Sequence, residues 1–284
     1  MGHSCILTDN AAQFTRPNFT GYKNIVFLDE QIELQENVLL DLCKVRVSEF
    51  PSHVNGSNPI HLRPPSATHL SDELLSIYQM YDDIFIILVS KELHPTFSLA
   101  EEIVMKLHGK ADFHLIDTQS IALGEGQIIQ LAAELIAKNI SGAIIEECLR
   151  EAIPHTYTLL CTPNFSYLHK SGFIDLGQAV SGEILSFLPI FTLEGGKLIP
   201  VEKVKNIHNV TDYFIEFIDE FDDLKNVSFI QPSPTVHNES KLVKQHIEEF
   251  FPDTHYSEHT INPYLASLIG PQGIGIVVTE AINS

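Results

Sequence analysis

The chain has 284 residues, 44% of them hydrophobic, and carries 37 carboxylates against 17 Lys and Arg, a formal charge of −20. That acidity argues against nucleic acid as a partner, because phosphate recognition needs a basic footprint, and it disfavours anionic membrane surfaces. The hydrophobic content supports a substantial core, and the length suits two domains of ordinary size or one large α/β domain.

The apolar runs, such as Ile84–Val89, are far shorter than the roughly 20 residues of a membrane-spanning helix, so no membrane insertion is expected. MGHSCILTDNAAQF lacks the apolar stretch of a signal peptide. Cys5, Cys43, Cys148 and Cys161 show no metal-ligand spacing and read as reduced thiols of a cytoplasmic protein.

In chain order, Ser4–Asp9 reads as a strand ending in the polar turn TDN, and Asn24–Leu28 as a second strand. Glu33–Val47 has no clear period. Pro51–Ala67 is dense in Pro, Asn, Ser and Gly and reads as a loop. Ser66–Gln79 reads as a helix, capped by Thr68 or Ser71, with Asp72 and Glu73 in its first turn. Ile84–Val89 is a strand buried on both faces.

Phe97, Ala100, Val104 and Leu107 then recur at helical spacing, with Gly109 as the stop. Phe113–Ile116 is a strand. Ile128, Leu131, Ala132, Leu135 and Ile136 mark one helix face, and Ser141–Ala152 forms a further helix presenting Ile144, Ile145 and Leu149. Strand and helix alternating at this spacing mean βαβ units and a parallel sheet.

After Pro154 the pattern changes. Thr156–Cys161 is a strand and Asn164–Leu168 a short helix. PIFTLEGGKLIPVEKV reads as a hairpin turning at Gly195–Gly196. Thr211–Leu224 reads as a helix, Val227–Ile230 as a strand, Ser240–Phe250 as a helix and Ile274–Thr279 as the last strand. The expected architecture is therefore two α/β domains. Residues 1–154 hold a mainly parallel sheet flanked by helices, and residues 155–284 a mixed sheet.

The residues, taken in order, resemble the DegV family of bacterial fatty-acid-binding proteins over nearly the whole length. ILTDNAAQF resembles its opening strand and Thr-Asp-Ser turn. RPPSA stands at its Ser-Gln-Pro-Ser-Pro motif, and SKELHPTFSLA aligns with Ser-Ser-x-Leu-Ser-Gly-Thr-Tyr. FHLIDTQSIALGEG, YLHKSGFI, PIFTLEGGKLIPVEKVK and IGPQGIGIVV resemble its later motifs. The resemblance implies one long-chain fatty acid buried between two α/β domains. In some members it also implies presentation of the acyl carboxylate to a separate fatty-acid kinase subunit, with no catalytic centre in the binding protein itself.

The head-group positions depart from that pattern. Leu62 stands for a Thr, His94 (followed by Pro95) for a Ser, Phe173 for an Arg and Leu268 for a His. Ile207 replaces a second Arg, with Lys205 near, and Gln272 the last Gly.

The candidate head-group residues are Arg63, Ser66, Ser90, His94 and Thr96. Each has a plainer reading: Ser66 and Thr96 as helix caps, Arg63 as a solvated cation, His94 as a turn histidine. Leu62, Phe173 and Leu268 make the site less able to hold a charge, or are ordinary packing. Gly124-Glu125-Gly126 lacks the third Gly of a dinucleotide fingerprint. His255 and His259 are too weak a pair for a metal site.

The leading reading is a cytoplasmic lipid carrier with no cofactor, whose ligand is a fatty acid or related lipid. The alternatives are a transferase or hydrolase with His94 as general base, and a regulatory scaffold that has lost the lipid site.

Overall fold

The computed structural model describes residues 3–34, 38–55, 60–107 and 111–281. Its strands and helices run β1 (Ser4–Thr8), β2 (Ile25–Phe27), β3 (Gln31–Glu33), β4 (Leu39–Asp41), β5 (His61–Arg63), α1 (Ala67–Tyr78), β6 (Asp83–Leu88), α2 (Thr96–Val104), β7 (Asp112–Asp117), α3 (Leu123–Ala137) and α4 (Gly142–Ala152). They continue β8 (Thr156–Cys161), α5 (Phe165–Lys170), α6 (Leu176–Leu185), β9 (Leu188–Glu194), β10 (Lys197–Val204), α7 (Ile207–Ile218), β11 (Leu224–Gln231), α8 (His237–Phe250), β12 (His255–Thr260), α9 (Pro263–Ile269) and β13 (Ile274–Glu280).

Three sheets result among the described residues. A parallel sheet has the order β2-β1-β6-β7. From β1 the chain goes first to one side, into β2, and later to the other, into β6, so the topological switch point lies between β1 and β6. Open α/β sheets take ligands beyond the strand carboxyl ends at such a point. Burial of β6 on both faces explains its unbroken apolar run. A mixed sheet has the order β10-β9-β8-β13-β11-β12, in which only β11 and β12 run parallel. The expectation of one parallel and one mixed sheet is met.

The third sheet, β4-β3-β5, is small and antiparallel. It occupies the segment that shows no period and the end of the supposed loop, where β5 pairs Leu62 with Ile32. Three-residue strands are too short to display alternation, so the sequence hid them.

Local chemistry explains several boundaries. Helix α1 is capped by Ser66, whose hydroxyl accepts from the His69 N–H at 3.2 Å, not by Thr68 or Ser71. Asp72 and Glu73 consequently lie beyond its first turn. In α4, Ile145 and Leu149 are buried but Ile144 faces solvent. Helix α6 starts at a reciprocal capping box of Asp175 and Gln178. Helix α7 begins at Ile207 because Asn206 caps it, and Leu224 opens β11 instead of closing that helix. The hairpin is as expected, with Gly195 and Gly196 at φ 54° and 82°. Gly109 lies outside the described residues.

Core packing joins the two sheets. One apolar cluster draws Ala11, Val89 and Leu123 from the first half and Leu160, Phe165 and Val277 from the second. Polar ties reinforce it: the Gln13 amide donates to the Thr260 carbonyl and the Asn262 amide to the Ala11 carbonyl, both at 2.8 Å. No helix among the described residues is long and apolar enough to cross a membrane.

Candidate functional site

The switch point is marked by Asp9, which directly follows β1 and is fully buried. Its carboxylate accepts from the N–H groups of Val89 and Ala11, each at 2.9 Å. Ser90, next to Val89, begins the turn that leads to α2. Its hydroxyl donates to the Gly196 carbonyl at 3.0 Å and its oxygen accepts from the Glu92 N–H at 3.2 Å. Ser90 thus holds the hairpin of the mixed sheet against the parallel sheet and has no further proton to give a ligand.

His94 is buried in the same turn, and its Nδ1 lies 2.8 Å from the Thr96 hydroxyl. Burial lowers the imidazole to about 4, so it is neutral near pH 7. Which of the two donates in that contact follows the tautomer of the imidazole. Thr96 is the first residue of α2, and its hydroxyl serves His94 instead of capping the helix.

The His94 ring meets Tyr264 edge to face, with centroids 5.6 Å apart. Asn262 fixes that tyrosine. It caps α9 by accepting from the Leu265 N–H at 2.8 Å while its amide reaches Ala11, two residues from Asp9. Tyr264 is fully buried, and its hydroxyl has no hydrogen-bond partner. Burial raises that phenol well above its ordinary range, and the charges of Glu30, Asp9 and Glu125 raise it further.

The charges of three buried carboxyl groups therefore act on one tyrosine. Asp9 is raised to about 6 by burial, against the pull of its two backbone donors. Glu125 is raised further by burial and by Asp9, to which it is hydrogen-bonded; its other contact is Thr8, whose hydroxyl lies 3.4 Å from Oε1. Glu30 is raised by burial and then by Asp9, while its Oε2 accepts from the Asn10 N–H at 2.9 Å. Glu30 Oε1 has no partner among the described residues. No group of three or more His, Cys, Asp or Glu side chains among the described residues is arranged to hold a metal ion.

Sequence reasoning passed over this cluster. Asp9 falls in the TDN turn, and Glu125 in a Gly-Glu-Gly triplet short of a dinucleotide motif. The real use of that motif is close approach: a Cβ on Gly126 would fall 1.9 Å from the Gln13 carbonyl oxygen. Glu30 and Tyr264 carry no local signal.

The other sequence candidates separate into two places. Arg63 and Ser66 line a cleft of about 550 Å³ with Glu30, Asp29, Asp41 and His69. The Arg63 guanidinium is paired with Glu33 at 2.6 Å, and Ser66 is the cap of α1. Leu62, Phe173 and Leu268 all pack into the apolar cluster between the sheets, together with Tyr264. His255 and His259 lie on β12, where four residues span about 13 Å, too far to share one small ion.

Comparison with known proteins fits this architecture. The model of the family described as "Uncharacterised protein, DegV family" matches residues 4–281.

The chain belongs to the DegV family.

A DegV domain-containing protein of Staphylococcus aureus is 23% identical over 287 aligned positions, covering 99% of this chain and all of that protein. Among solved structures, the fatty acid binding DegV family protein of Streptococcus agalactiae superposes with a TM-score of 0.84 at 14% identity, covering 98% of this chain and 99% of that one. The Fatty Acid Kinase (Fak) B3 protein of Streptococcus pneumoniae, solved with linoleic acid, gives 0.83 at 14% identity, covering 98% and 100%. DegV of Bacillus subtilis, a fatty acid binding protein, gives 0.79 at 18% identity, covering 99% and 100%. At these identities the likeness establishes the fold.

Proposed function

We propose that this DegV-family protein is a lipid carrier that holds one acyl chain, of a fatty acid or related lipid, between its two halves. The observation that carries the reading is the apolar cluster shared by both sheets, which reaches the buried turn of His94 through Leu93 and Tyr264. An acyl chain in such surroundings is stabilised by about 0.8 kcal/mol per buried CH₂ before the costs of binding. The fatty-acid-binding relatives of the same fold support it.

We place the head group at His94 and Thr96, beside Tyr264. Arg63 and Ser66 stand at the adjoining cleft, and Leu62, Phe173 and Leu268 line the apolar part. The division between the halves is placed near Pro154, supported by sheets whose strands fall on either side of it. A cytoplasmic setting is supported by four unpaired cysteines. A fatty-acid kinase subunit is the candidate partner, on the strength of the Streptococcus pneumoniae relative.

Enzymatic use of His94 is the weaker reading. A histidine with its conjugate acid near 4 is a poor base at neutral pH. The scaffold reading draws on Leu62, Phe173 and Leu268, which pack into the apolar cluster where the family resemblance implies polar groups. Native mass spectrometry of the purified chain, before and after organic extraction and reloading, separates the two. One acyl lipid per chain supports the carrier; a chain that takes up none under any loading condition is a scaffold.

A further inference from the structure

Strand β7 ends one side of the parallel sheet, and among the described residues it pairs with β6 alone. The Asp112 N–H donates to the Asp82 carbonyl at 2.8 Å, and the Thr118 N–H to the Leu88 carbonyl at 3.2 Å. In a parallel ladder the residues that bond a given neighbour alternate along the strand, so the main-chain groups of His114 and Ile116 also face β6. Those of Phe113, Leu115 and Asp117 face the opposite way. Among the described residues one hydrogen bond reaches this outer edge, from Arg150 Nη2 to the Leu115 carbonyl at 3.2 Å.

The same three residues, Phe113, Leu115 and Asp117, line a cleft of about 680 Å³. Phe97 of α2 and Ile153, just after α4, give it apolar walls. An unpaired strand edge beside such a groove is a template for an added strand: the main chain supplies the hydrogen bonds, and alternate side chains enter the groove.

Charge sets the kind of partner. Three carboxylates line the cleft, Glu101, Asp117 and Glu146, against two cations. Both cations are already paired, Lys91 with Asp117 at 3.9 Å and Arg150 with Glu146 at 2.6 Å. Glu101 is exposed and enters no ion pair among the described residues, so the unanswered charge of the cleft is negative. A second copy of this chain would bring a further formal charge of −20 to the contact, which opposes self-association here.

We propose that the β7 edge and its cleft form a docking site for an extended, basic segment of another protein, added to the sheet as a strand. Lys91 and Phe97 flank the turn of Ser90 and His94, so the docked segment lies beside the turn that ties the parallel sheet to the hairpin of the mixed sheet.

The test uses the full chain and three acetylated heptapeptides: one alternating Lys and Val, one alternating Glu and Val, and the Lys–Val peptide N-methylated at every residue. At low salt the Lys–Val peptide should bind at least about tenfold more tightly than the Glu–Val peptide, and by NMR it should slow amide exchange at Phe113 and Leu115. The N-methylated peptide, which has no backbone donor, should do neither. Leu115→Pro removes an outward N–H at an edge position that tolerates proline, and should abolish binding. Glu101→Lys changes an exposed residue, keeps the test open if the proline variant does not fold, and should weaken the Lys–Val peptide several-fold. No binding of the Lys–Val peptide overturns the proposal, as does equal binding of the Glu–Val or N-methylated peptide, or binding unchanged by Glu101→Lys. A dimer of the chain that Leu115→Pro dissolves overturns it too, by giving the edge to a second copy.

Discussion

The Ser90 hydroxyl donates to the carbonyl of Gly196, 106 positions later in sequence, at 3.0 Å. This bond ties the switch-point turn of the parallel sheet to the hairpin tip of the mixed sheet. The fit is tight: Gly196 has φ +82°, and a Cβ there would fall 2.1 Å from Ser90 Oγ. Both its backbone conformation and its surroundings require glycine.

Gly196→Ala should therefore destabilise the chain by about 1–3 kcal/mol, combining left-handed strain with the clash. Ser90→Ala alone should cost about 1 kcal/mol for a lost buried hydrogen bond. Together they should cost less than their sum, because the second change removes the atom that the first collides with. Urea denaturation of the four proteins measures this; strict additivity would show that the two residues do not meet.

His94 makes a pH signature. Its folded value, near 4, lies below the ordinary value of 6.5. The unfolded chain therefore takes up the proton first as pH falls. The stability linked to neutral His94 is complete above about pH 6.5 and is lost on descending toward about 4, amounting to about 3 kcal/mol. His94→Gln should remove that loss. The stability difference between the two proteins, followed by denaturation from pH 7 to pH 4, should change by that order; a flat difference contradicts a buried neutral histidine.

Glu30 has the opposite sign. Burial and the Asp9 charge hold its carboxyl group well above the usual range, so its contribution is present at low pH and lost as pH rises through its folded value. Glu30→Gln can keep the bond from Asn10 and cannot ionise. It should gain about 1 kcal/mol or more over the parent at pH 9 and little at pH 5. An equal effect at both values would rule out ionisation as the cause.

Tyr264→Phe removes a buried hydroxyl with no partner while keeping the ring that meets His94. It should raise thermal stability, by about 1–3 kcal/mol. A less stable Tyr264→Phe protein would mean that the hydroxyl is satisfied in solution.

Ser66→Ala should cost about 1 kcal/mol through loss of the α1 cap. Its lipid affinity should stay unchanged, since the hydroxyl serves the helix. A fall in affinity at constant stability would return Ser66 to the head group.

What the sequence determined by itself was the order of elements and the nature of the two large sheets. Long apolar runs such as Ile84–Val89 and the Gly195–Gly196 turn are local signals, and local signals survive without a fold. The short strands β3, β4 and β5 give none, whereas the caps at Asp175 and Asn262 are local. The site was only half visible. His94 and Thr96 are neighbours in sequence, and the turn that holds them could be placed from the strand before it. Asp9, Glu30, Glu125 and Tyr264 come from four distant segments. Their meeting depends on strand order, on close approach at Gly126 and on the Asn262 bond to Ala11. Burial then shifts their proton affinities, and burial is a property of the packed molecule. What lies against the turn of His94, Tyr264 above all, was thus set by tertiary structure alone.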